Sequence, residues 1–357
     1  MKQALTCLND LKTLPFDQLI DVRAPAEYAQ DHIPGAISLP VLSDAERAEV
    51  GTIYVQQDPF LARKIGAALV ARNAATHLQG VLADRPGAWR PLVYCWRGGQ
   101  RSGSFASILA QIGWRVGLVE GGYKSYRRLV VRALYETPVA PRLILLEGGT
   151  GTAKTAVLQH LQGQGQQVLD LEAMAQHRGS VLGGRPGGQP AQKMFESRIA
   201  MALAGMDAAR PVFLEAESNK IGARIIPPML WQAMLRAEHV RIQAPLRARA
   251  DYLVENYSDL LADPALLIEK LEALAQFHGH AQVQAWQAMA RAAQFQPLAE
   301  ALIRQHYDPG YRRASRRAGA PRMVVELPGL SPQDLAQAAA RIAGAVSPAD
   351  SGSRPGL

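Results

Sequence analysis

Cysteine is the scarcest resource of this sequence. Only Cys7 and Cys95 occur in 357 residues. That excludes a disulfide scaffold and any zinc site built on several thiolates. Cys7 lies in a polar N-terminal stretch with no cradle around it and receives no role. No apolar run approaches the roughly 18 residues a membrane span needs, and no signal peptide precedes the first domain, so a soluble, cytoplasmic protein without a membrane partner is expected. An internal repeat is also absent. Hydrophobic residues, in contrast, make up 48%, enough for real cores, and the length suits two domains. Lys and Arg outnumber Asp and Glu by 39 to 31, a net charge of +8. This balance fits an anionic partner, and equally a merely basic soluble protein.

Short apolar runs alternate with helical periodicity, the pattern of an α/β layer fold. Residues 1–135 form the first unit, with "LIDVRAPAEYAQDHIPGAISLP" reading as strand, helix, loop and strand. "ETPVAP", residues 136–141, is a proline-bearing linker. A second α/β domain spans 142–346, opening on the strand "RLILLEGG" and turning helical over about 245–301. The basic, aromatic stretch "RQHYDPGYRRASRRAG" follows, then a last strand and helix. Residues 347–357, "SPADSGSRPGL", read as a disordered tail.

"LVYCWRGGQRS", Leu92 to Ser102, places Cys95 after an apolar strand. Phe105, Ile108, Leu109 and Ile112 recur at helical spacing, so a helix should start near Ser102. A thiol attacks as its thiolate, which positive charge and a helix N-terminus favour. Gly98 and Gly99 let backbone N–H groups turn inward, while Arg97 and Arg101 add charge. With Trp96, Gln100 and Ser102 they form a candidate anion cradle around a nucleophile. A buried structural cysteine does not require two glycines and two arginines beside it. Cys95 to Arg101 also reads C-x5-R, the spacing of a cysteine phosphatase loop, although no acid is evident to protonate a leaving alkoxide.

Gly148, Gly149, Thr150, Gly151, Thr152, Ala153, Lys154 and Thr155 follow a strand and precede a helix. They match the P-loop G-x-x-x-x-G-K-[ST] at every fixed position but the sixth, Ala153. An alanine fits there if it already has helical dihedrals. Lys154 supplies a point charge, and Thr155 could touch magnesium. Asp170, Glu215 and Glu217 are the candidate metal carboxylates, none decisive. A P-loop without clear hydrolytic apparatus suits a diphosphate-bearing substrate as well as a nucleotide. Strand ends bind ligands in open α/β sheets, so Gln176 to Ser197 and "EAESNKIG", including Asn219, are candidate substrate contacts.

"DVRAPAEYAQDHIPGAISLP" with "YCWRGGQRS" resembles a rhodanese domain, which carries sulfur or selenium on a loop cysteine. The further stretches "VGTIYVQQDP", "VEGGYKSYR", "LDLEAMAQHRGSVLG", "QPAQKMFE" and "EAESNKIG", with the P-loop, resemble the tRNA 2-selenouridine synthase family over nearly the whole chain. The resemblance implies a rhodanese-like domain followed by a P-loop NTPase-like domain with a helical, basic C-terminal region. It implies replacement of sulfur by selenium in wobble-position 2-thiouridine of tRNA. Selenophosphate is the donor, its supply enzyme a candidate partner, and the sulfur is first alkylated from geranyl diphosphate. No tightly bound cofactor is implied. On this reading Cys95 carries selenium as a selenopersulfide and the P-loop holds the diphosphate. Arg312, Arg313, Arg316 and Arg317 are candidate tRNA contacts, with Arg247, Arg249, Tyr307 and Tyr311 nearby and Arg127 and Arg128 as the next candidates. A rhodanese-type sulfurtransferase, a C-x5-R phosphatase with an accessory P-loop domain and a non-catalytic tRNA-binding module are the alternatives.

Overall fold

A computed structural model describes residues 1–216, 218–317 and 319–346, without the side chains of 313–317. Glu217, the side chains of Arg313, Arg316 and Arg317, and the tail 347–357 lie outside the described residues. Two compact units divide the chain. The first joins 1–138 with 190–205 and 227–229, and the second holds the remainder. This departs from the contiguous second domain expected over 142–346. The helix Gln192–Ala204 belongs to the first unit because its buried Glu196 and Ser197 find partners there. Ser197 Oγ donates to Asp31 Oδ2 at 3.0 Å, and Glu196 pairs with Arg127. Helical periodicity marks such a segment as a helix but does not say whose core it joins.

The first unit is built on a parallel sheet of β1 (Lys2–Gln3), β2 (Gln18–Asp21), β3 (Ile37–Ser38), β4 (Pro91–Tyr94) and β5 (Gly117–Val119). Its strand order is β1-β5-β4-β2-β3. β4 is central and buried at every position, as an unbroken apolar run in a parallel sheet should be. Ile20, Val93, Phe105 and Leu109 share its core. The helix after β4 is Gln100–Ile112, two residues earlier than the expected start.

In the second unit the parallel strands are β6 (Leu143–Glu147), β7 (Gln167–Val168), β8 (Val212–Glu215), β11 (Glu238–Gln243) and β12 (Met323–Glu326), beside a small antiparallel pair β9 (Lys220–Ile221) and β10 (Arg224–Ile225). The order β12-β11-β6-β8-β7 puts β6 in the middle. β8 and β7 lie on one side of β6 and β11 and β12 on the other, and such a switch in strand order opens a ligand crevice at the C-terminal end of β6. Ile144, Leu146, Val157, Phe213 and Ile342 pack around it. Helices continue past the expected end near 301 to Arg317. Pro309 and Gly310 suggest a break in sequence, but the helix runs on through a π-helical turn, Ile303–Tyr307, whose wider hydrogen-bond spacing accommodates the proline that follows it. Among the described residues no helix is long and apolar enough to cross a membrane.

Candidate functional site

Cys95 follows the last residue of β4 and is 4% exposed, at the floor of its loop. Ser102 Oγ donates to Cys95 Sγ at 3.1 Å. Gly98 has φ 66°, and Gly99 is the N-cap of Gln100–Ile112 without a side-chain cap, so the first N–H groups of that helix face the loop. Arg101 reaches Glu27 with both terminal nitrogens, at 2.6 and 3.4 Å. Burial alone would raise the Glu27 carboxyl. The Arg101 hydrogen bond and charge outweigh this and hold it below the usual range. Arg97 and Gln100 are exposed.

A second wall supports the loop. Tyr123 N–H donates to the Cys95 carbonyl at 2.8 Å, and Lys124 N–H to that of Trp96 at 3.0 Å. A Cβ on Gly122 would overlap the Cys95 carbonyl oxygen and stand 2.5 Å from the Gly98 nitrogen, so only glycine allows this approach. The Tyr123 ring stacks on Trp96 at 5.2 Å, and its hydroxyl donates to buried Asp31 at 2.6 Å. Burial pushes the Asp31 carboxyl up, against the hydrogen bonds of Tyr123 and Ser197. Beside the loop lies a cavity of about 810 Å³ lined by Trp96, Lys124, Arg128, Arg132 and Lys193, among others. Arg127, expected as a next tRNA candidate, is held by Glu196 and the Lys193 carbonyl. Arg128 is exposed.

The P-loop wraps from β6 into the helix Lys154–Gly163. Ala153 has φ 58° and ψ 32°, a left-handed backbone and not the helical one expected. The wrap demands this conformation, which glycine ordinarily supplies and alanine adopts under strain. Lys154 Nζ donates to the Gly148 carbonyl at 2.9 Å, and Thr152 Oγ1 to that of Gly149 at 2.8 Å. Thr155 Oγ1 donates to Glu172 Oε2 at 3.2 Å. The carboxylate at Thr155 is therefore Glu172, not Asp170 or Glu215. Asp170 instead caps the helix Leu171–Ala175, accepting from Ala173 N–H at 2.8 Å. Glu215 is fully buried at the end of β8, beside β6. Asn219 is exposed near the small antiparallel pair, outside the P-loop cavity lining.

Arg249 is no tRNA contact: it is 8% exposed, bonds the Thr150 carbonyl at 2.8 and 3.0 Å and pairs with Asp308 at 2.6 Å. A Cβ on Gly149 would stand 2.6 Å from its guanidinium, so the arginine would have to shift. Tyr307 packs on the helical core, Tyr311 is half-buried, and Arg247 and Arg312 are exposed. The P-loop lines a cavity of about 750 Å³, to which Arg178 and Ser180 from the long glycine-rich stretch contribute. A smaller apolar cavity, about 60 Å³, shares Thr150, Leu253, Tyr257 and Tyr307 with it and is otherwise lined by residues such as Leu182, Leu260, Leu267 and Phe295.

Residues 4–129 match the family model of the rhodanese-like domain, and 141–285 that of the tRNA 2-selenouridine synthase AAA domain. The chain is 35% identical over 246 residues to a tRNA 2-selenouridine synthase of Nitrosomonas europaea, covering 67% of this chain and 63% of that one. It is 38% identical to one of Bdellovibrio bacteriovorus over 70% of this chain and 67% of the other. To one of Verminephrobacter eiseniae it is 35% identical over 86% of this chain and 91% of the relative. The matched stretch thus spans under two thirds of the Nitrosomonas relative and nearly all of the Verminephrobacter one. A cysteine loop on one parallel sheet and a P-loop on another, matched in that order by these two models, place the chain in the tRNA 2-selenouridine synthase family.

Proposed function

We propose that this protein replaces sulfur by selenium in wobble 2-thiouridine of tRNA, in two steps on two sites. In the first, the thione sulfur attacks C1 of geranyl diphosphate. An S–C bond forms, the C–O bond breaks, diphosphate leaves and the base gives up its N3 proton to solvent. In the second, selenium derived from selenophosphate takes C2 of the base, and the alkylated sulfur leaves as geranyl thiol. Alkylation matters because a thione sulfur is a poor leaving group and a thiol is a good one.

The observation that carries this reading is the apolar cavity that shares Thr150, Leu253, Tyr257 and Tyr307 with the P-loop cavity. Backbone N–H groups of the loop and Lys154 suit a diphosphate whatever it bears. Leucine, phenylalanine and tyrosine beside them suit an isoprenoid chain. The proposed chain enters at Leu253 and Tyr257, its remaining carbons lying against Phe277 and Val181 in the larger cavity. Thr155 and Glu172 fit a magnesium ion accompanying the diphosphate, which would neutralise the leaving group's charge.

Cys95 serves the selenium step. The tRNA reading rests on basic and aromatic groups near it. Trp96 is 36% exposed, and Lys124, Arg128 and Arg132 line the same cavity. Such a wall offers stacking to an unpaired base and charge to phosphates. Arg312 is an exposed further candidate.

The test is incubation of the full chain with thiolated tRNA and geranyl diphosphate, then with selenophosphate, followed by mass analysis of the nucleosides. S-geranyl-2-thiouridine should appear first and 2-selenouridine second. Selenouridine formed equally well without geranyl diphosphate would refute the alkylation step.

A further inference from the structure

Forming a sulfur–selenium bond from a thiol and a selenide removes two electrons. Selenophosphate carries selenium at the selenide level, and no oxidant enters the proposed reaction. The selenopersulfide expected on Cys95 therefore balances only if phosphorus takes up that electron pair and leaves as phosphite instead of phosphate.

The loop around Cys95 favours a different electrophile. Its spacing is C-x5-R, with the nucleophile 4% exposed at its floor. Arg101 is fixed by its two-pronged contact with Glu27, and a guanidinium carries five N–H donors, more than that contact uses. The helix Gln100–Ile112 begins at Gly99 with no side-chain cap, the arrangement that receives phosphoryl oxygens. Ser102, fully buried, donates its hydroxyl to Cys95 Sγ. A phosphatase loop also needs an acid when an alkoxide leaves. Hydrogenselenide is a much weaker base than an alkoxide and leaves without one.

We propose that Cys95 attacks the phosphorus of selenophosphate and not its selenium. This rests on the reading of selenophosphate as donor. The S–P bond forms as the P–Se bond breaks, and selenium, already carrying a proton in the bound selenophosphate, departs with the bonding pair as hydrogenselenide. No atom changes oxidation state. Water then attacks the cysteinyl phosphate, the S–P pair returns to Cys95, and phosphate leaves. Hydrogen selenide attacks C2 of the S-geranyl base, and geranyl thiol is expelled. Ser102 acts when charge returns to sulfur, stabilising the departing thiolate as the S–P bond breaks.

The experiment uses the full chain and two preparations of selenophosphate, one labelled at phosphorus and one at selenium. After an acid quench, the phosphorus label should be found on Cys95 and the selenium label in solution. Cys95→Ser should abolish the thiol-linked label. Ser102→Ala should slow breakdown by roughly tenfold to hundredfold, the worth of a hydrogen bond to a charged group. The phosphorus label should then accumulate while phosphate release falls. A merely structural role for Ser102 would lower labelling and release together. The complete reaction with tRNA, run in parallel, separates the two readings. If 2-selenouridine forms while selenium and not phosphorus stays on the protein, or while neither does, the inference is overturned and the function stands. A phosphorus label on Cys95 without 2-selenouridine would support the phosphoryl step and count against the function. If no label and no 2-selenouridine are found, both fall.

Discussion

Ala153 holds a left-handed backbone at the mouth of the P-loop helix, with φ 58° and only 4% exposure. That conformation costs a residue with a Cβ roughly 1–2 kcal/mol, partly offset by the greater freedom that glycine loses on folding. Ala153→Gly should therefore stabilise the chain by up to about 1 kcal/mol, seen as a higher denaturant midpoint. An unchanged or lower midpoint would show that the backbone here carries no strain. Glu27 makes a different prediction. Its folded carboxyl titrates below the ordinary glutamate range, through the Arg101 contact acting against burial. Its contribution is thus complete above about pH 4.3 and is lost as pH falls through the lower, folded value. Stability curves from neutral to acid pH should fall less for Glu27→Gln than for the wild type; parallel curves would contradict this. Cys95, Lys154 and Thr155 were legible in the sequence because their chemistry lies within short contiguous motifs. Glu27, Glu172, Asp308 and Asp31 were not, since each meets its partner only through the fold. Arg101 and Glu27 are 74 positions apart, and Arg249 and Asp308 are 59. Carboxylates in polar stretches carry no local sign of such partners.

At the scale of elements, each nucleophile or anion cradle sits where a buried parallel strand turns into a helix. β4 delivers Cys95 and β6 delivers the P-loop. Both strands are continuous apolar runs, which is why periodicity and composition revealed them. The element that completes the cysteine loop is less visible: it is the turn from β5 into the helix Gly122–Val131, whose N–H groups hold the Cys95 and Trp96 carbonyls. Gly122→Ala would force a Cβ against the Cys95 carbonyl. The expected cost is about 1–3 kcal/mol of overpacking and a displaced loop. Selenouridine formation should fall at least tenfold while S-geranyl-2-thiouridine still forms, and nucleoside mass analysis reads both. Full selenouridine yield from this variant would show that the turn does not set the loop. The helix Gln192–Ala204 is the converse case. Its pattern is legible, but its membership of the first unit depends on Glu196 and Ser197 meeting Arg127 and Asp31, which no local pattern encodes.

For the whole molecule, part of the basic excess lies near Cys95, where Lys124, Arg128 and Arg132 line one cavity. If these side chains meet tRNA phosphates, Lys124→Gln, Arg128→Gln and Arg132→Gln together should weaken binding. They should also flatten the log–log salt dependence by about one unit or less per lost contact. Titrations at several salt concentrations test this, and unchanged affinity and slope would return attention to Arg312 and its helix. The proposed function divides the chemistry between alkylation at the P-loop and selenium transfer at Cys95. The most direct test is nucleoside mass analysis of tRNA from cells whose only copy of this protein is Cys95→Ala. The account predicts that S-geranyl-2-thiouridine accumulates and 2-selenouridine is absent; 2-selenouridine at the wild-type level would contradict it.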